Sequence, residues 1–347
     1  MTTSTEPSPS TPPTSTSLPP TALKAARRIL PPAVTGQERV LVVILVVLAV
    51  VLSVATPAFR TAGSWQPLLS SVAPIALMGV GMTMVIIAAG IDVSVGGALM
   101  VTAVTTAKLL VDQGASLPLA LLAAAALGLV LGTVNGLLIA YGRVNAIIIT
   151  FGTANLFQFL GRQIFASQTV NGIPGTLELF GRGEAGRTFG LPHSFLLTLL
   201  VAAAAWYWLR HSRPGRHLYA IGGDPTAARL AGIRVQRLTL MTYAVTGLLV
   251  GVAAVFTVAS GTSTLDQSVG SGRELAVIAA VVIGGTSITG GRGSVLGTVL
   301  GALLVQTVAS GTTQLGWPSQ LSDFFVGVAI AIAVGADLVR QRTRRAR

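Results

Sequence analysis

Long apolar runs separated by short polar or glycine-rich breaks dominate the chain from residue 40 to residue 339. A helix needs about 20 mostly apolar residues to cross a bilayer, whereas the strands of a membrane β-barrel would alternate apolar and polar residues. The continuous runs therefore predict an all-α polytopic membrane protein with about ten transmembrane helices and short loops. The predicted spans are residues 40–56, 68–89, 94–111, 117–141, 145–165, 194–209, 239–260, 274–284, 294–311 and 321–339.

The two ends of the chain differ from this membrane domain, which we place at residues 37–340. Residues 1–36 are rich in Ser, Thr and Pro and hold too few apolar residues to bury a core, so we expect a disordered cytoplasmic tail. A cleaved signal peptide is the alternative, but the first apolar run starts only near Val40 and many spans follow it. Residues 341–347 form a basic tail, also predicted to be cytoplasmic.

Basic residues lie in blocks beside the predicted spans. If the N-terminus is cytoplasmic, most of them fall on the cytoplasmic side, as the positive-inside rule requires, and both termini are cytoplasmic. This distribution accounts for the net charge of +12, and because no aromatic residues are interleaved with the blocks, we expect lipid and not nucleic acid as a partner. The chain has no cysteine, which excludes disulfides and thiolate metal sites.

The sequence contains none of the catalytic motifs that we looked for. No hydrolase, metalloprotease or phosphate-loop motif occurs, and the three histidines lie outside the predicted spans. We therefore expect a protein that is not an enzyme and that holds no metal or cofactor, so any ATP would be bound by a separate chain. Ionisable residues near span ends mark functional sites in membranes by default, and here they are Asp92, Glu274 and Asp323. Asp92 could line a path or could cap the next helix.

Two glycine-rich breaks interrupt the apolar pattern at residues 88–97 and 283–297. Paired interrupted segments in two halves of a transporter indicate a substrate path, although helix packing and tight turns use the same residue types. Polar side chains within the predicted spans can likewise contact a substrate or hold helices together. The candidate translocation-path residues are Asp92, Ser94, Asn135, Thr150, Asn155, Thr286 and Ser287.

A short polar segment, DPTAARLAG, lies between two predicted transmembrane spans, on a predicted cytoplasmic loop of residues 210–238. Its first residue can cap a helix, the following proline suits the first helical turn, and its last glycine can close the helix in a left-handed conformation. The segment is too polar to span a membrane, so we predict a helix lying in water or against another protein. It comprises Asp224, Pro225, Thr226, Ala227, Ala228, Arg229, Leu230, Ala231 and Gly232.

Three segments resemble the hallmark segments of the ribose-type permeases of ATP-binding-cassette importers. They are GMTMVIIAAGIDVSVGGALM (81–100), HLYAIGGDPTAARLAGIRVQRLTLMTYAVTGLLVGVAAV (217–255) and VIAAVVIGGTSITGGRGSVLGTVLGALL (277–304). The resemblance runs from about residue 40 to residue 340, in the same order and spacing. One departure is Ala89, where the family usually has Gly.

The resemblance implies a permease subunit in a bacterial inner membrane, paired with a second permease copy. It would receive a monosaccharide from an extracytoplasmic binding protein and be driven by a cytoplasmic ATPase that binds the ATP. DPTAARLAG matches the family's coupling helix, which docks on that ATPase.

Three alternatives remain open. Branched-chain amino-acid or nucleoside permeases belong to the same superfamily. An ion-coupled secondary transporter would need coupling-ion residues inside the spans and no partner ATPase. An intramembrane hydrolase would need the motifs that the sequence lacks.

Overall fold

The computed structural model describes residues 36–180, 184–260 and 263–345, so the predicted N-terminal tail lies outside the described residues except for Gly36. Twelve α-helices follow one another in this part of the chain. Their bounds are α1 Gly36–Ala55, α2 Ala62–Ile87, α3 Val95–Val111, α4 Leu117–Ala140, α5 Ala146–Phe165, α6 His193–His211, α7 Arg213–Gly223, α8 Pro225–Leu230, α9 Val235–Ser260, α10 Arg273–Ile283, α11 Val295–Gln314 and α12 Gln320–Arg345.

Few residues of the described chain form other regular structure. Two 3₁₀ turns cover Pro57–Arg60 and Gly175–Phe180. Four two-residue strands form two antiparallel pairs, β1 (Val170–Asn171) with β4 (Thr264–Leu265) and β2 (Arg187–Thr188) with β3 (Leu191–Pro192). Elements this short leave the fold essentially all-α, as predicted.

Every predicted apolar span coincides with one of these helices. Five of them, α1, α2, α4, α9 and α11, are long and apolar enough to cross a membrane, and α3 and the first part of α12 are shorter apolar helices. The structure therefore shows a polytopic membrane protein.

Helix α2 is the central element of the fold. Its apolar stretch is almost entirely buried, and it packs against α6, α9, α10 and α11. Helix α1, by contrast, buries little of its apolar surface and faces outwards. The hydrophobic core thus surrounds most of the length of one helix.

Glycines bring α4 and α9 into close contact. An added Cβ at Gly132 would lie 2.8 Å from the Gly247 Cα, and one at Gly251 would lie 2.9 Å from the Ala124 carbonyl carbon. Gly128 lies one turn from Gly132, so both helices carry the small-xxx-small spacing that lets helix backbones approach in membranes. This contact fixes α9, which leads directly out of the polar α7–α8 segment.

The two predicted breaks are real interruptions and lie side by side. The first, residues 88–94, follows α2, and the second, residues 284–294, follows the eleven-residue helix α10. The Gly291 amide donates a 2.9 Å hydrogen bond to the Ile87 carbonyl oxygen, which joins the two breaks. Ala89 adopts a left-handed φ of 61°, a conformation that glycine would take without strain.

Candidate transport site and coupling surface

The three segments singled out in the sequence converge at one end of the helical body. Gly222, near the end of α7, packs so closely that an added Cβ would overlap both the Ile87 carbonyl oxygen and the Gly291 amide nitrogen. The Tyr219 hydroxyl donates to the Gly293 carbonyl oxygen at 3.3 Å. Burial raises the pKa of Tyr219 to about 12, so this hydroxyl keeps its proton at neutral pH. Helix α7 is therefore packed directly on both breaks, and α8 follows it in the chain.

Four of the candidate path residues surround the first break. The Asp92 carboxylate (Oδ1) accepts hydrogen bonds from the Ser94 amide at 2.9 Å and the Ser94 hydroxyl at 2.6 Å. The Asn135 amide group (Nδ2) donates to the Ser94 hydroxyl at 2.7 Å. Thr150 donates to the Ile91 carbonyl oxygen at 3.2 Å. All four side chains are buried, so in this conformation they hold the break against α4 and α5.

The alternative that Asp92 caps the next helix is wrong in detail. Ser94, and not Asp92, is the N-cap residue of α3, and its side chain makes no capping bond. Asp92 instead stabilises the turn that leads into the helix, because its hydrogen bonds go to the residue two positions ahead.

The remaining candidates lie elsewhere. Thr286 and Ser287 are buried in the second break, where the Thr286 hydroxyl accepts a 3.4 Å bond from the Ser294 amide. Ser287 and Thr289 pair through their hydroxyls at 3.1 Å. Asn155 is exposed on α5 and donates to the Phe151 carbonyl oxygen at 2.9 Å. The structure thus groups six candidates around the two breaks and separates Asn155 from them.

The other two ionisable residues near span ends have different surroundings. Glu274 is partly buried in the first turn of α10, whereas Asp323 is exposed in the first turn of α12. Within the described residues, no group of three His, Cys, Asp or Glu side chains is arranged to hold a metal ion.

The predicted helix DPTAARLAG is confirmed as α8, with the predicted caps. The Asp224 carboxylate (Oδ1) accepts from the Thr226 amide at 2.8 Å and the Ala227 amide at 3.0 Å. Gly232 has a left-handed φ of 80° and closes the helix. Ala228 is 4% exposed and faces the helical body, while Leu230 is 86% exposed and faces away from it. The outward side of α8 therefore presents an apolar side chain that the described residues leave uncovered.

Sequence reasoning missed the helix that precedes α8. Helix α7 begins where the Ser212 hydroxyl accepts a 3.0 Å bond from the Gly215 amide, and it buries Leu218 and Ile221 against the core. The signal was present, since a serine two residues before Pro214 is typical of a helix start.

A buried carboxylate at the start of α1 was also missed. Glu38 is 1% exposed, and its carboxylate accepts a hydrogen bond from the Ser294 hydroxyl at the end of the second break. Its neighbour Gln37 donates to the Ile283 carbonyl oxygen at 3.2 Å. Helix α1 is thus held by polar contacts to the same break that α7 contacts.

Paired helix breaks that lie side by side in a polytopic membrane protein, packed against a helix that leads into a capped polar helix, are typical of membrane transport permeases. Residues 66–334 match the family model described as "Branched-chain amino acid transport system / permease component", and the chain belongs to this family.

Named relatives cover nearly the whole chain. It is 37% identical over 318 residues to the ribose import permease protein RbsC of Escherichia coli K12, which covers 91% of this chain and 98% of that protein. It is 31% identical over 288 residues to the fructose import permease protein FrcC of Rhizobium meliloti, covering 80% and 79%. It is 32% identical over 304 residues to the galactofuranose transporter permease protein YtfT of Escherichia coli K12, covering 85% and 87%. No solved structure matches the chain significantly.

Proposed function

We propose that this chain is the membrane-spanning permease subunit of an ATP-driven importer for a monosaccharide. An extracytoplasmic binding protein delivers the sugar, and a cytoplasmic ATPase supplies the energy. The observation that supports this most directly is the α7–α8 segment, because it packs on both helix breaks and also presents an exposed face to a partner.

The sugar assignment rests on the relatives. Permeases for ribose, fructose and galactofuranose are 31–37% identical to this chain over most of their lengths. The family description also names branched-chain amino acids, so import of such an amino acid is the second candidate.

Coupling to the ATPase follows from the shape of α8. A short helix with both ends capped resists bending, so force applied to its outer face is transmitted to its base. Leu230 supplies an exposed apolar anchor, and Arg229 and Arg234 lie exposed beside it. In α7, which leads into α8, Gly222 and Tyr219 contact the two breaks. Movement of the ATPase would therefore reach the breaks through rigid packing.

The finer topology is part of the same proposal. The chain crosses the inner membrane ten times, on all helices except α7 and α8, with the eleven-residue α10 crossing together with the break that follows it, and both termini are cytoplasmic. A second permease copy completes the path, because α5 exposes large apolar side chains, among them Ile148, Phe151 and Phe159, on the same helix as the exposed polar Asn155. Lipid covers the remaining apolar surface.

The test is reconstitution of the chain in vesicles with its ATPase and its sugar-binding protein. We expect ATP-dependent uptake of labelled ribose, or of fructose if ribose is not taken up, and no competition by leucine. Uptake of leucine in place of sugar would establish the second candidate. Uptake driven by an ion gradient without the ATPase would contradict the whole proposal.

A further inference from the structure

A cavity of about 330 Å³, open to solvent and lined by both polar and apolar groups, lies between α3, α5 and the loop that precedes α10. Its volume is at the lower end of the range of roughly 300–1,000 Å³ that is typical of small-molecule sites. Gln158 and Arg162 line it from α5, and Gln267, Ser268 and Ser271 line it from the loop. None of the candidate path residues from the sequence lines this cavity.

The cavity lies towards the end of the helical body that is opposite to α7 and α8. Helix α5 starts beside the first break, where Thr150 contacts Ile91, and Arg162 is in its last turn. Helix α9 starts shortly after α8 and ends at Ser260, just before the lining loop. Because the α7–α8 end is the proposed cytoplasmic end, the cavity is on the extracytoplasmic half of the protein, where a delivered sugar arrives first.

Polar side chains around the cavity are free to bind a ligand. Within the described residues, the side chains of Gln158, Arg162, Gln267 and Ser271 make no hydrogen bond to the protein. The Ser268 hydroxyl donates to the Asp266 carboxylate at 2.5 Å, which leaves its oxygen available as an acceptor. Amides, hydroxyls and a guanidinium together offer both donors and acceptors, which is what a polyhydroxyl ligand requires.

The base of the cavity is a close backbone contact. An added Cβ at Gly96 would lie 2.7 Å from the Gly270 carbonyl oxygen, so the loop rests directly on α3. One Glu274 carboxylate oxygen (Oε2) is buried against Gly96 without a hydrogen-bond partner in the described part of the chain. Glu274 lies behind this contact and does not line the cavity.

One cationic side chain lines the cavity. Arg162 is the charged residue among the described lining residues, and no carboxylate lines the cavity beside it. Two carboxylates lie just behind the lining, since Asp266 accepts from the lining residue Ser268 and Glu274 lies against the lining residue Gly96.

We propose that this cavity is a binding site for a polyhydroxyl solute on the outward side of the permease, with Gln158 and Arg162 as ligand-contacting residues. This inference rests on the proposed function and extends it to particular residues.

The first experiment compares Gln158→Leu with Gln113→Leu in vesicles that contain the ATPase and binding protein. Gln113 is exposed beyond the end of α3 and is not a cavity residue. We expect Gln158→Leu to lower the initial rate of ribose uptake about tenfold per inserted molecule, as loss of a hydrogen-bond partner predicts, with ATPase activity retained. Gln113→Leu should remain within about twofold of the wild type.

A second experiment does not depend on how well a variant folds. The chain has no cysteine, so Ser271→Cys introduces a single thiol at the cavity. We expect this variant to take up ribose until a charged methanethiosulfonate reagent modifies it and then to stop, while modified Gln113→Cys continues.

These outcomes are separable from those of the proposed function. Ribose uptake that persists in both Gln158→Leu and modified Ser271→Cys would overturn the cavity assignment and leave the sugar importer intact. Absence of sugar uptake by the wild type, with leucine uptake in its place, would overturn both.

Discussion

Replacing Gly222 by Ala tests whether the three converging segments form one packed unit. A Cβ atom at this position would lie closer than 3.0 Å to the Ile87 carbonyl oxygen and to the Gly291 amide nitrogen, a separation that such atoms do not show. Those two groups form the 2.9 Å hydrogen bond that joins the breaks. The added methyl group must therefore displace α7 from the breaks or disrupt this bond.

The expected change in the free energy of unfolding is the sum of two destabilising effects and one stabilising effect. Overpacking a tight site costs about 1–3 kcal/mol, and leaving a buried amide and carbonyl unpaired costs roughly 1–3 kcal/mol more. Alanine is favoured over glycine within a helix by about 1 kcal/mol. The net destabilisation expected for Gly222→Ala is therefore about 1–5 kcal/mol.

Gly223 is the matched control, because it is the next residue of the same helix and nothing lies within 4 Å of its added Cβ. We expect Gly222→Ala to lower the melting temperature of the purified permease and to reduce stimulation of the ATPase. Gly223→Ala should leave both at or above the wild-type values. Equal melting temperatures for the two variants would refute the close packing of α7 on the breaks.

Three further substitutions test other parts of the proposal. Leu230→Asp should abolish stimulation of ATP hydrolysis in the reconstituted complex with normal insertion, because it places a charge at the exposed apolar anchor; unchanged stimulation would contradict docking through α8. Ala89→Gly should raise the melting temperature through relief of about 1 kcal/mol of left-handed strain, and a lower value would contradict that strain. Thr226→Cys should be labelled from the cytoplasm and Gln113→Cys from outside; labelling from one side only would reverse part of the topology.

Structural features that depend on only a few neighbouring residues could be predicted from the sequence. The caps of α8 depend on Asp224, Pro225 and Gly232, which act within a few residues, and the structure confirms all three. Ala89 is a second example, because it stands where the family usually has glycine, and its left-handed backbone conformation is one that glycine adopts without strain.

The orientation of α8 could not be predicted in the same way. A helix of six residues has too few apolar positions to define a face, so the sequence did not show that Ala228 points inwards and Leu230 outwards. Packing against the rest of the permease decides this, and it makes Leu230 the residue that probes docking.

The cavity could not be predicted from the sequence either, because its lining residues are far apart along the chain. Gln158 and Arg162 lie four residues apart on α5, which places them on one face of the helix, but their partners Gln267 and Ser271 come more than a hundred residues later. Nothing in the local pattern links the loop before α10 to α5. The sequence drew attention to the two glycine-rich breaks, whereas the free polar groups of the lining lie at the other end of α5.

The start of α1 shows how a polar residue can position a lipid-facing helix. Among the described side chains of α1, only Glu38, Leu41 and Leu52 are buried, so apolar packing provides little to fix its location. Glu38 contacts Ser294, which lies 256 positions away and caps α11 by accepting from the Gly297 amide. The same serine therefore links the end of the second break, the start of α11 and the start of α1. If α7 moves the second break, the hydrogen bond between Ser294 and Glu38 must either carry the first turn of α1 along or break.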